Sequence, residues 1–235
     1  MPIHDRGRSM SEKSQEIQEL SQLIWVLAQE NAELKKQNKK IIKESLNAII
    51  KTLEAKDRYT HGHSHRVAHY ALLIAKKLSF TEEQLIEIEL AALLHDIGKI
   101  STPDNILNKP GKLTPEEFEV IKEHPVQSYE ILSEVTHLKQ IALWVRAHQE
   151  RIDGFGYPDG LRGENIPLPA RIITVADAFD AMTSDRPYRA ALSIQYAYDE
   201  LKRCSGTQFD SRIVDIFIQE HQQWQKSEER KTGTG

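Results

Sequence analysis

The stretch Leu93-Leu94-His95-Asp96-Ile97-Gly98-Lys99 decides how this chain is read. An apolar helical run ends in a His and an Asp side by side. Gly98 is expected to end the helix, and Lys99 stands just beyond it. Two adjacent residues of metal-ligand type in so apolar a segment are costly to bury unless something binds them. A satisfied core histidine, with the Asp as a local cap, is the plain alternative. The rest of the chain decides between the two.

Working outward, three more histidines fall on inward faces of helices. His63 shares a face with Val67, Ala71, Ile74 and Leu78. His95 lies along the side marked by Ile88, Ala91 and Ala92, on a helix that Thr81 caps. Thr114-Pro115-Glu116-Glu117 starts a helix that directs Val120 and Ile121 inward and ends at His124. His148 follows Ile141, Trp144 and Val145 at helical spacing. His61, His65 and His69 lie opposite His63 and share their face with Lys76, so they read as solvated surface. Glu150 to Pro169 is a loop centred on Asp153-Gly154-Phe155-Gly156-Tyr157-Pro158-Asp159-Gly160. The helix after it carries Asp177 among Ile173, Val175, Ala176 and Phe179, with Asp180 as a competing carboxylate. Asp185-Arg186-Pro187-Tyr188-Arg189 makes a basic loop, and two helices, about 193–203 and 211–224, close the domain. No strand and no internal repeat is evident, so the fold class is all-α.

The N-terminal side has a different pattern. Residues 1–11 read as disordered and 226–235 as a flexible tail. Between about Glu12 and Lys56 there is no Gly or Pro. Leu20, Leu27, Leu34 and Ile41 recur seven apart, each three residues after Ile17, Ile24, Asn31 and Asn38. Asn at the a position favours a parallel two-stranded coiled coil of fixed register. Residues 12–45 are therefore expected to be a coiled-coil arm that makes a homodimer, and 46–225 the globular domain. A single helix packed on its own domain is the alternative.

Composition limits the rest. The 235 residues carry a net charge of -4, which gives no overall pull toward a nucleic acid polymer. No stretch approaches the ~18 apolar residues of a membrane span, and the first residues lack the apolar core of a signal peptide. Cys204 is the only cysteine, which excludes an intrachain disulfide and suits the cytoplasm.

Four inward imidazoles and two or three carboxylates on separate helices converge only inside such a bundle. Imidazole and carboxylate without thiolate suit iron, manganese, zinc or nickel. An adjacent His-Asp pair lets the Asp bridge two ions while the His serves one. Two divalent ions outweigh Asp96, Asp177 and a bridging hydroxide, leaving a positive site that suits a phosphate diester. Ions ~3.5–4 Å apart activate the attacking oxygen and stabilise the departing one in an in-line displacement. Lys99, Arg186 and Arg189 are then natural phosphate contacts, with a solvated basic surface as the alternative.

His95-Asp96 with Asp177 resembles the HD superfamily of metal-dependent phosphohydrolases. The span from about Asp57 to Asp210 resembles its HD-GYP branch, through Gly62-His63-Ser64, Leu93–Ile100, Lys109–Thr114, Glu123-His124-Pro125, Asp153–Leu161, Arg171–Asp177, Ser184–Arg189 and Gly206–Asp210. The resemblance implies an HD-type helical bundle that hydrolyses cyclic di-GMP, to the linear dinucleotide or GMP, with two divalent ions, iron or manganese. One ion would take His63, His95, Asp96 and Asp177; the other would share Asp96 and take His124 and His148. Asp96 and Lys99 would be catalytic; Lys99, Arg186, Arg189 and Tyr157 would meet the substrate. The loop around Tyr157 is also a candidate contact for a signalling protein.

Two positions depart from the family pattern. Tyr59 stands where relatives with a third metal have Glu, so two ions are expected. Gln149 stands where the family usually has a second His, so the second site is expected to hold its ion more weakly. Cyclic GMP-AMP is the rival substrate. A docking module without turnover is the rival class, although such a module has no need of so expensive a buried cluster.

Overall fold

The computed structural model describes residues 10–57, 62–185 and 190–232. The expectations for residues 1–9, Tyr59, His61, Arg186 and Arg189 lie outside that set. The chain divides into two units, Met1–Ile49 and Ile50–Gly235. Helix α1, Met10–Lys56, runs through both. In the first unit Ile24, Leu27, Leu34 and Ile41 are exposed. In the second, Ile50 and Leu53 of the same helix are buried.

The second unit is all-α. Its helices are α2 (His63–Lys77), α3 (Glu82–Leu94), α4 (Asp104–Leu107), α5 (Pro115–Lys122), α6 (His124–Ser133), α7 (Lys139–Arg146), α8 (Leu168–Thr183), α9 (Ile194–Arg203) and α10 (Ser211–Thr232). Among the described residues there is no strand. Helix α2 packs against α3, α8 and α10, and α6 packs against α7. Ala68, Ala71 and Ala75 of α2 and Ala91 and Ala92 of α3 are buried, and such small side chains let helix axes approach closely. Ile74, Ile88, Val145, Ile173, Phe179 and Phe217 fill the space between.

Local chemistry sets the starts of α3 and α5. Thr81 and Thr114 accept from the backbone N–H groups of Gln84 and Glu117, and those side chains accept in turn from the cap residues' N–H. Such reciprocal caps satisfy donors that an isolated helix end leaves bare.

Several expectations are corrected. Helix α3 ends at Leu94, and Gly98 lies within a 3-10 turn, Ile97–Ser101. Gly98 is required for contact instead: a Cβ there would lie 2.1 Å from the His124 carbonyl oxygen and 2.5 Å from the Ser128 nitrogen. Val120 is exposed, because two-turn α5 contacts chiefly α4 and α6 and buries nothing fully. His69 is half-buried, its ring 4.7 Å from Trp224, because α10 covers that flank of α2. Helix α10 continues past the expected end at Trp224 to Thr232.

Candidate metal centre

The His95-Asp96 turn is clamped onto α6. Ser128, fully buried, accepts from the Gly98 N–H at 2.8 Å and donates to the His95 carbonyl at 3.0 Å. That clamp sets His95 and Asp96 against His124, the first residue of α6. His148 follows α7, and its carbonyl accepts from the Thr174 hydroxyl of α8 at 2.7 Å. Helix α8 brings Asp177, and α2 brings His63.

The four imidazoles share one arrangement. His95, His124 and His148 direct Nδ1 at the backbone carbonyls of Ala92, Ile121 and Val145, at 2.7, 2.7 and 2.6 Å. His63 directs Nδ1 at Asp180 Oδ2, 2.7 Å away. Carbonyl and carboxylate oxygens only accept, so each Nδ1 donates its proton and each neutral ring keeps a lone pair on Nε2. Those lone pairs face one another. The Nε2 atoms of His63 and His95 are 3.3 Å apart, and those of His124 and His148 are 3.2 Å apart. All four rings are buried.

Asp96 sits between the two pairs. Its Oδ2 lies 3.4 Å from His95 Nε2 and 3.8 Å from His63 Nε2, while its Oδ1 lies 3.4 Å from His124 Nε2. Asp177 Oδ1 is 3.4 Å from His63 Nε2 and 3.9 Å from His95 Nε2. His63, His95 and Asp177 offer three donor atoms within 4.8 Å of one another, as do His95, Asp96 and His148.

The electrostatics favour neutral His124 and His148 and charged carboxylates. Burial pushes His124 down to about 4 and His148 down to about 3, and for His148 the neighbouring histidines add to the effect. Burial works against the charge on Asp96, yet Asp96 is held well below the usual carboxylate range, with the Lys99 ammonium at 2.6 Å the leading cause. Burial also works against the charge on Asp177, which is nevertheless lowered through the charge that His95 and His63 carry when protonated. Neutral lone pairs 3.2 Å apart repel unless a cation lies among them. Imidazole nitrogens and carboxylate oxygens without sulfur are a fitting donor set for divalent ions.

Among the described residues, the expected site residues take these places. His63, His95, Asp96, His124, His148 and Asp177 are brought together. Lys99 is mostly buried and paired with Asp96, with Asp57 Oδ2 a further 3.7 Å from its ammonium. Tyr157 lies at the rim, its ring 6.5 Å from that of His124, and its hydroxyl donates to Gln149 Oε1 at 3.2 Å.

Three supporting residues had no clear signal in the sequence. Asp180, weighed only as a rival to Asp177, orients His63 and is held by Arg66 through contacts of 2.6 and 3.0 Å. Asp57 sits behind Lys99. Glu150 is buried, and its two oxygens accept from the N–H groups of Asp159 and Leu161 at 2.7 and 3.0 Å, which shapes the loop around Tyr157. A one-turn offset from Asp177 was the only hint for Asp180.

A helical bundle with histidines and aspartates gathered in its interior defines a class of metal-dependent phosphohydrolase domains. Residues 36–213 match the HD domain family, and the chain belongs to that family, in its HD-GYP branch. It is 46% identical over 177 residues to the cyclic di-GMP phosphodiesterase response regulator RpfG of Xanthomonas campestris pv. campestris, covering 74% of this chain and 47% of that protein. It is 42% identical over 177 residues to a cyclic di-GMP phosphodiesterase of Thermotoga maritima, covering 74% and 48%. It is 45% identical over 152 residues to 3'3'-cGAMP-specific phosphodiesterase 3 of Vibrio cholerae, covering 65% and 33%. The chain thus spans about half the length of these curated relatives or less. Among solved structures, a V. cholerae cyclic GMP-AMP-specific phosphodiesterase superposes with a TM-score of 0.57 at 21% identity, over 74% of this chain and 48% of that one. The L. monocytogenes PgpH HD domain in complex with cyclic-di-AMP gives 0.51 at 19%, over 74% and 92%. These two show a shared fold.

Proposed function

We propose that this chain is a metal-dependent phosphodiesterase that opens cyclic di-GMP. One observation carries the reading: four buried imidazoles each spend Nδ1 on a fixed acceptor and bring their Nε2 atoms together in two pairs, with Asp96 between the pairs. The names of the relatives at 46% and 42% identity support the substrate class.

In this reading His63, His95, Asp96 and Asp177 hold one divalent ion, and Asp96, His124 and His148 hold a second, iron or manganese in each case. Bound there, the ions would supply an activated water and positive charge for the departing oxygen. The chain's own groups do the rest. Asp96 faces each histidine pair with a different oxygen, which suits a bridge. Lys99, kept charged by Asp96 and Asp57, meets a phosphate oxygen. Arg186 and Arg189 add phosphate contacts, and Tyr157 covers the mouth. The test is incubation of the metal-loaded chain with cyclic di-GMP and chromatography of the products. Linear dinucleotide or GMP is expected. Intact substrate with protein that holds two manganese or iron ions would sink the reading. Cyclic GMP-AMP is the second reading, favoured by the 45% identical relative of that name. The ratio of kcat/KM for the two dinucleotides decides.

The arm is proposed to form a parallel two-stranded coiled coil, supported by the exposure of Ile24, Leu27, Leu34 and Ile41 along one heptad seam. Deleting residues 12–45 should give monomers at micromolar concentration by light scattering. An unchanged dimer would move the interface elsewhere. The loop around Tyr157 is proposed as the signalling contact, since Phe155 there is 84% exposed. A reducing cytoplasm remains the proposed compartment.

A further inference from the structure

Gln149 follows a candidate ligand, His148, and was expected to matter as an incomplete metal ligand. The structure gives its side chain other work. The amide nitrogen donates to Asp177 Oδ2 at 3.4 Å, and the amide oxygen accepts from the Tyr157 hydroxyl at 3.2 Å. The amide's orientation follows from its partners. A carboxylate only accepts, so the NH2 group must face Asp177, and the carbonyl oxygen is left for the tyrosine. The atom that Gln149 turns toward the carboxylates is therefore a donor, without a lone pair to give a cation.

The backbone reinforces this contact. Tyr157 N–H donates to the Gln149 carbonyl at 3.3 Å. Gly156 lies so close that a Cβ on it would be 2.7 Å from that same carbonyl oxygen and 2.5 Å from Glu150 Cα. The Tyr157 loop is thus wrapped directly over residues 149–151. Gln149 is the one side chain seen to reach from that loop to a ligand carboxylate, among the described residues. It bonds the outer oxygen of Asp177, while Oδ1 faces His63 and His95.

We propose that Gln149 is a positioning residue, not a metal ligand: it ties the Tyr157 hydroxyl to Asp177, so that the loop over the centre is set by the carboxylate that serves the first ion. This rests on the two-ion reading above. Two consequences follow. Tyr157 and Gln149 act as one unit, so removing either has the effect of removing both. The placement of the loop also depends on whether Asp177 is engaged by a cation.

The test combines metal analysis, hydrogen exchange and kinetics on Gln149→Ala, Tyr157→Phe and the double variant, with manganese as the ion and cyclic di-GMP as the substrate. Both single variants should keep the wild-type number of ions per chain. Exchange at the amides of Tyr157, Asp159, Gly160 and Leu161 should quicken by on the order of 2–10-fold, the size of one net hydrogen bond. KM should rise by a similar factor, and the double variant should match the singles. Tyr157→Phe keeps the ring and loses only the hydroxyl, so it tests the tie without emptying the loop. Loss of an ion in Gln149→Ala but not in Tyr157→Phe would make Gln149 a ligand and overturn the proposal. Unchanged exchange in both singles, or additive effects in the double, would also overturn it. Failure of the two-ion reading shows separately, as fewer than two ions in the wild-type chain.

Discussion

The two halves of the centre use the same ligand type and support it differently. His63 donates to a buried carboxylate, Asp180, which Arg66 neutralises in turn. His124 and His148, like His95, donate to backbone carbonyls three residues earlier, those of Ile121 and Val145. The first half also has Asp177 to itself, while the second shares Asp96 as its only carboxylate. A carboxylate behind an imidazole raises its basicity and fixes its tautomer. If the two halves hold ions as proposed, the first should hold its dication more firmly. The asymmetry expected from Gln149 alone would then have a wider basis: the charge around each pair differs.

The change that strikes both halves should have the largest effect. Asp96→Ala removes the group lying between the pairs, and both ions and turnover should be lost. The drop in affinity should exceed the ~10–100-fold typical of changes behind a ligand. Elemental analysis that finds the variant fully loaded would refute the bridging role.

Asp180→Asn should separate the halves. It keeps the shape but leaves His63 without its anionic partner and removes one of the negative charges that act on Arg66. Affinity of the first ion should fall by roughly 10–100-fold, with the second little changed. A manganese titration showing equal losses at both would break the comparison. Gly98→Ala acts at the seat of the His95-Asp96 turn on α6. The new methyl meets backbone, which has little room to move, so a loss of about 1–3 kcal/mol is expected. Thermal unfolding measures it, and an unchanged Tm would show that α6 yields freely.

The last effect concerns acid and the metal-free protein. His124 and His148 lie at about 4 and about 3 when folded, against an ordinary value of 6.5. Between those limits the unfolded chain binds more protons, so stability falls as pH drops. In chelator, Tm should hold above about pH 7, decline from near 6.5, and level off with respect to these two groups near 3. His221 on α10, also near 4, adds to the same slope. A flat Tm across that window would mean that the rings are not held neutral by burial.

Much of this molecule is determined by short-range sequence. The capping boxes at Thr81 and Thr114 depend on residues three apart. Inward His63, His95 and His148 follow from helical periodicity, and the absence of Gly and Pro in 12–56 marks one long helix. Six ligand candidates were legible because a buried polar residue contradicts its apolar neighbours wherever it stands. What supports those six was decided by packing. His63 and Asp180 are 117 residues apart, and Lys99 meets Asp57 from just beyond the end of α1. Gly98 looks like a helix stop in sequence and is a contact point in space, because α6 lies where its Cβ would be. Gln149 looks like a missing ligand and is bonded to two side chains that only the folded loop brings near. Periodicity tells which way a side chain faces. Its partner is settled only once helices from distant parts of the chain have packed together.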